Sequence, residues 1–144
     1  MGYHAAMSEA WHATRFRVRY AETDAAGIVH HSSYVVWFEE GRSELSRQLG
    51  LPYAELEREG IDLIVTRVEV RYRGPARYDD LVEVRTRVAE IRSRTMTFAY
   101  RVVRAADGAL LAEGTTNHMA VRRATGRPAR IPDRFRDAWG APPH

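Results

Sequence analysis

A chain of 144 residues has the size of one domain, and with 44% apolar and 28% charged residues it is composed like a folded globular protein rather than a disordered one. The absence of cysteine removes disulfides, thiolate nucleophiles and cysteine-held zinc together. The formal charge is +3 and all 22 cations are Arg; with no aromatic-interleaved basic tract and no known module, this balance does not point to nucleic acid.

The opening "MGYHAAMSEAWHA" has neither the basic start nor the apolar core of a signal peptide. No stretch approaches the roughly 20 apolar residues of a membrane helix. A cytoplasmic protein with no membrane span is therefore expected, with residues 1–13 as a mobile N-terminal segment and 14–140 as one domain. From Thr14 to Tyr20 the period is two, Arg15, Arg17 and Arg19 alternating with Phe16, Val18 and Tyr20, which predicts a strand with one solvated face. The small residues of "AETDAAG" end it and place Asp24 in a loop.

Ser32 or Ser33 is a natural N-cap for a helix reaching about Leu49, where Gly50 and Pro52 stop it. Tyr34, Trp37, Phe38, Gly41, Leu45 and Leu49 recur at helical spacing and predict a buried stripe. Gly41 costs about 1 kcal/mol of helix propensity relative to Ala, which suggests a backbone crossing closely there. "PYAELEREG" predicts a short second helix.

Strand patterns follow. Ile64, Thr66, Val68, Val70 and Tyr72 alternate until "GP"; "DDLVEVRTRVAEI" resumes, with Arg85 and Arg87 on a solvated face; Met96, Phe98, Tyr100 and Val102 make a further strand. "ADG" signals a hairpin into a last strand from about Leu110 to Arg122. A closing helix carries Ile131, Phe135 and Trp139 at spacing four. Connections this short make the last three strands antiparallel, and one long apolar helix on a curved sheet is the simplest packing, an α+β fold.

No G-x-S-x-G elbow, H-E-x-x-H, phosphate-binding loop or G-x-G-x-x-G after a strand is present. His30 and His31 are adjacent, so their side chains are expected to diverge, and with no third ligand at metal spacing no metal site is expected. What remains is Asp24, among small residues and shortly before the start of the long helix. Unpaired N–H groups around His31, Ser32 and Ser33 at a helix N-terminus could hold a carbonyl oxygen as it becomes an oxyanion. A carboxylate facing that point could attack the carbonyl or activate water, and a nearby His could orient it or move protons. That combination suits hydrolysis of a reactive ester or thioester. The alternative is an Asx-turn at Asp24 with His31 capping the helix, and local pattern does not separate the two. Glu39 and Glu40 read as an exposed helix edge, and "GPARYDD" as mainly structural, Pro75 stopping one strand and Asp79 and Asp80 punctuating the next.

"YAETDAAGIVHHSSYVVWFEEGRSEL", then "VEVRYRGPARYDDLVEV" and "RPARIP", resemble the hot-dog-fold acyl-CoA thioesterases of the 4-hydroxybenzoyl-CoA thioesterase type, and within them the bacterial branch found with the Tol–Pal system. The resemblance runs from about Arg15 to Pro132, with its motifs in order. It implies one long central helix wrapped by a five-stranded antiparallel sheet, and sheets pairing into homodimers or homotetramers with sites at the subunit interface. It further implies that Asp24 is the acidic catalytic residue, as nucleophile or general base, with Tyr20 and His31 associated, and that the His31 amide polarises the thioester carbonyl. The substrate would be a small-molecule acyl-CoA, with no cofactor beyond the CoA it carries. Its phosphates would meet basic side chains at a sheet turn, for which Arg92, Ser93 and Arg94 are candidates. His30, Ser32 and Ser33 depart from the aromatic and the Ala or Asn that many relatives have there, which leaves the acyl group open. Two rival functions on this fold are an acyl-ACP thioesterase and a non-catalytic acyl-CoA-binding or interaction protein.

Overall fold

A computed structural model of the chain describes residues 11–140. Its order is β1 (His12–Arg17), a 3₁₀ turn (Tyr20–Glu22), α1 (Ser33–Gln48), α2 (Tyr53–Arg58), β2 (Ile61–Tyr72), β3 (Leu81–Ile91), β4 (Thr95–Arg104), β5 (Leu110–Arg122) and α3 (Asp133–Gly140). The five strands form one antiparallel sheet in the order β1-β3-β4-β5-β2. The long helix packs on it mainly against β3 and β1. This is the expected hot-dog arrangement, an α+β fold with all pairing antiparallel.

The helix stripe is the centre of the core. Trp37 and Phe38 are fully buried, Tyr34, Gly41 and Leu45 with them, and Phe38 stacks on Tyr100 of β4 at 4.1 Å between ring centroids. Ile131, Phe135 and Trp139 close one end as their spacing predicts, and the Trp139 indole donates to the Leu51 carbonyl at 2.9 Å. The "ADG" hairpin forms with Gly108 at φ +74°, and its amide donates to the Arg104 carbonyl at 2.7 Å.

Four expectations are corrected. The first strand begins at His12, so the last residues of the segment expected to be mobile pair with β3, while residues 1–10 lie outside the described residues. It ends at Arg17, because the chain then turns through the 3₁₀ segment, which takes Tyr20 off the strand. Along β2 the alternation breaks at a bulge between Val65 and Arg67; this edge strand leaves Ile64, Val65 and Val68 exposed. What lies close to Gly41 is not backbone: an added Cβ would overlap the Thr86 hydroxyl and reach 2.9 Å from Val84 Cγ1. Gly41→Ala is therefore expected to destabilise by about 1–2 kcal/mol, overpacking outweighing the roughly 1 kcal/mol gain in helix propensity. Urea unfolding measures this, and a variant as stable as the parent would contradict it.

A polar chain runs through the core. Arg42 Nη1 donates to the Tyr100 hydroxyl at 3.5 Å, Tyr100 and Thr116 hydroxyls lie 2.5 Å apart, and Thr116 Oγ1 is 2.8 Å from His118 Nε2. If each hydroxyl donates onward, His118 accepts at Nε2 and is neutral with its proton on Nδ1. Burial, helped by the Arg42 charge, pushes the His118 imidazole down to about 4, from an ordinary 6.5. The unfolded chain therefore binds a proton that the native chain refuses between these values. Stability is full above about pH 6.5 and falls toward pH 4, by up to about 3 kcal/mol. Glu83, held below the usual range by Arg85 and Arg15, adds its loss mainly below its ordinary 4.5. Urea midpoints between roughly pH 5 and 6.5 should decline in the parent and stay flatter in His118→Gln; equal slopes would contradict the assignment.

Candidate active site

Asp24 sits at a tight turn between the 3₁₀ segment and α1. Its Oδ1 accepts the Ala26 amide at 2.8 Å and, more loosely, the Ile28 amide at 3.4 Å, and its own amide donates to the Ile28 carbonyl at 2.8 Å. Gly27, at φ +81°, makes the reversal possible, its amide donating to the Asp24 carbonyl at 3.0 Å. The Asx-turn is thus real, but it uses one carboxylate oxygen; Oδ2 has no hydrogen-bond partner among the described residues.

Short bridges from Thr23 to Val29 and from Ile28 to Arg77 bind this loop to itself and to the "GPARYDD" segment, and the Val29 amide donates to the Ala76 carbonyl at 2.8 Å. The result is a cleft of about 510 Å³ walled by Asp24, His31, Tyr34, Tyr72, Gly74 and Pro75 together with Ile28 and Val29. The segment expected to be mainly structural therefore also supplies cleft wall. Tyr72 donates its hydroxyl to the His31 carbonyl at 2.8 Å and its ring meets Tyr34 edge-on at 5.2 Å. Burial pushes both phenols up, so both are neutral hydrogen-bonding groups at neutral pH. The His31 amide donates to no acceptor among the described residues.

Glu22 organises the loop, and sequence reading missed it. Its carboxylate accepts the Arg19 amide at 2.8 Å, the Arg19 guanidinium at 2.7 Å and the Trp37 indole N–H at 2.8 Å. Its carbonyl accepts the His30 amide at 2.8 Å and the Ser33 hydroxyl at 3.3 Å. Burial alone would raise this carboxyl; the bonds from Arg19 and Trp37 outweigh it and hold it below its usual range. The sequence signal was only an acid two residues before Asp24, in a loop where acids are normally solvated.

Asp24 and His31 come together as expected; the other candidates do not join them within this chain. Tyr20 is 77% exposed and packs edge-on against Tyr78 at 5.7 Å, away from the cleft lining. Neither serine caps α1 through its hydroxyl: Ser32 Oγ lies 2.8 Å from His30 Nδ1, and Ser33 bonds the Glu22 carbonyl. His30 Nδ1 instead accepts the Ser32 amide at 3.1 Å, so the capping role expected of Ser32, Ser33 or His31 falls to its neighbour. The two His rings do not diverge; their centroids are 4.1 Å apart, because the chain turns here rather than running extended. No group of three metal-ligating side chains lies together among the described residues. Arg92 pairs with Glu90 at 2.9 Å, and the Ser93 and Arg94 carbonyls accept the Ile131 and Ala120 amides, so this turn also anchors the C-terminal segment.

The family profile described as the thioesterase-like superfamily matches residues 18–139. The acyl-CoA thioester hydrolase YbgC of Escherichia coli O157:H7 is 34% identical over 116 residues, covering 81% of this chain and 86% of its own. The putative acyl-CoA thioesterase YneP of Bacillus subtilis is 32% identical over 120 residues, covering 83% and 86%. The crystal structure of a DHNA-CoA thioesterase from Staphylococcus aureus superposes with a TM-score of 0.83 at 32% identity, covering 90% of this chain and 85% of that one. With a hot-dog fold, a half-buried carboxylate at the mouth of the long helix and a match spanning nearly the whole domain, the chain belongs to the thioesterase-like superfamily.

Proposed function

We propose that the protein is an acyl-CoA thioesterase that hydrolyses an acyl-CoA to the free acid and CoA at the Asp24 cleft. The single observation that carries this reading is the conjunction, on one cleft, of an Asp24 carboxylate oxygen and a His31 amide that both lack a partner among the described residues. In this mechanism the His31 N–H receives the thioester carbonyl oxygen as charge develops on it, where a fixed donor stabilises the transition state more than the ground state. Asp24 either attacks the carbonyl carbon, expelling the CoA thiolate and leaving an acyl-enzyme anhydride that water then hydrolyses to the free acid, or draws a proton from a water that attacks in its place, the CoA thiolate then departing from the tetrahedral intermediate. The His31 backbone is held from its other side by the Tyr72 hydroxyl. No cofactor is needed beyond the CoA that the substrate carries.

The finer placement, in the 4-hydroxybenzoyl-CoA thioesterase type and the branch found with the Tol–Pal system, belongs to this proposal and rests on the order of the motifs around Asp24, "GPARYDD" and "RPARIP". So does a cytoplasmic setting; no helix among the described residues is long and apolar enough to cross a membrane. Tyr20, Arg92, Ser93 and Arg94 stay in the proposal as residues that act only in an assembled dimer or tetramer. A homodimer is supported by β2, a twelve-residue edge strand whose free side lies beside exposed Ile64, Val65 and Val68. Sedimentation should give at least a dimer, and a monomer at micromolar concentration would remove that part.

The test is release of free CoA thiol from short, long and aromatic acyl-CoAs, run beside the same acyl groups on acyl carrier protein. Turnover of at least one CoA ester is expected. Turnover confined to carrier-protein esters would favour the acyl-ACP reading, and none from either would leave a binding protein.

A further inference from the structure

A half-enclosed cavity of about 180 Å³ lies between the middle of α1, α2 and the first residues of β2, and it shares no lining residue with the Asp24 cleft. Its polar lining is Arg42, Ser43, Tyr53 and His118 together with the carboxylates of Glu39, Glu57 and Asp62; Leu56, Ile61 and Leu63 supply apolar surface. The buried groups left without a partner there are donors. Arg42 has no carboxylate within ion-pair distance among the described residues; its guanidinium faces the Tyr53 and Tyr100 hydroxyls, 3.5 Å from the latter, and neither phenol neutralises its charge. The Tyr53 hydroxyl is buried with no hydrogen-bond partner among the described residues, and so is His118 Nδ1, the nitrogen that carries the proton if Thr116 donates to Nε2.

Guanidinium N–H, phenol O–H and imidazole N–H are all donors, and a buried donor without an acceptor is destabilising. Three of them on the wall of one cavity are complementary to an anionic acceptor. We propose that this cavity is a ligand site, separate from the Asp24 cleft, for a small monocarboxylate whose oxygens accept from Arg42, Tyr53 and His118. The size limits the remainder of the ligand: a dry cavity of about 150 Å³ holds benzene, so there is room for one ring or a short branched chain against Leu56, Ile61 and Leu63. Of the lining acids, Glu39 and Glu57 are exposed and Asp62 is paired with Arg123, so their repulsion of one negative charge is screened, while each added charge raises it, which disfavours phosphates and dicarboxylates. The site does not depend on the proposed hydrolysis, since none of its residues belongs to that machinery.

The experiment is calorimetric titration of the full-length protein with sodium benzoate, with sodium phosphate as the contrasting anion. One equivalent of benzoate should bind and phosphate should not. Tyr53→Phe should weaken benzoate binding about tenfold or more, the scale of one hydrogen bond to a charged acceptor. Because the Tyr53 hydroxyl has no partner among the described residues, the same variant should keep or raise the thermal midpoint of the ligand-free protein. Arg42→Met should reduce binding further, and Asp24→Asn should leave it unchanged. No binding up to about 20 mM, a weakest-useful affinity on this scale, would overturn the proposal. So would benzoate affinity that depends on Asp24 and not on Tyr53, or phosphate binding with the same dependence on Tyr53.

Discussion

Asp24→Asn is expected to lower kcat for acyl-CoA hydrolysis by about 10²–10⁴-fold, the range a positioned acid–base or nucleophilic group supplies. The substitution is a sharp one because the side chain has two separable jobs. Oδ1 holds the turn by accepting the Ala26 and Ile28 amides, and an Asn carbonyl oxygen continues to do so. The other oxygen loses its charge, which either role in hydrolysis requires. Steady-state kinetics should therefore show a fall in kcat with little change in the unfolding midpoint. A variant that turns over every good substrate at the parent rate would remove Asp24 from the mechanism; one that unfolds would reduce it to the Asx-turn.

Glu22→Ala is expected to cost about 2–4 kcal/mol of stability and to lower kcat at least about tenfold. The carboxylate satisfies the Trp37 indole N–H in a ring that is 1% exposed, along with the Arg19 amide and guanidinium. Truncation leaves a buried donor without an acceptor, and such losses run from about 1 to 3 kcal/mol each. The kinetic effect follows from position, since the loop from Glu22 to Ser33 carries Asp24 and the His31 amide and is tied at the Glu22 carbonyl. Glu22 also sets a pH limit. Its carboxyl is held below the ordinary 4.5, so its contribution is complete above that value and is lost as pH falls through the lower native one. Glu22→Gln, which keeps an acceptor oxygen for Trp37, should recover part of both losses. Wild-type stability in Glu22→Ala, measured in urea, would contradict the account.

How far the sequence was legible depended on whether a residue's role repeats along the chain. Tyr34, Trp37, Phe38 and Leu45 announce a buried helix face because burial on a helix recurs every three to four residues, and Ile131, Phe135 and Trp139 do so for the closing helix. Asp24 stood out only by its small neighbours, and resemblance, not spacing, tied it to His31. Glu22 left no signal, because an acid in a polar loop looks the same whether it is solvated or holds an indole. The exposed apolar residues of β2 misled for another reason: the bulge after Val65 changes which face its residues present, and the edge position leaves them uncovered in a single chain. A glycine inside a helix pattern signals crowding without saying what crowds it: the backbone expected at Gly41 is replaced in the structure by the Thr86 and Val84 side chains.

The most direct test of the central claim is a crystal structure with a non-hydrolysable acyl-CoA analogue in which the thioester sulfur is replaced by methylene, keeping the carbonyl. The analogue carbonyl oxygen should lie about 3 Å from the His31 amide nitrogen, with the free Asp24 oxygen, directly or through one water, at the carbonyl carbon. An analogue whose carbonyl lies outside the cleft walled by Asp24, His31 and Tyr72 would contradict that claim.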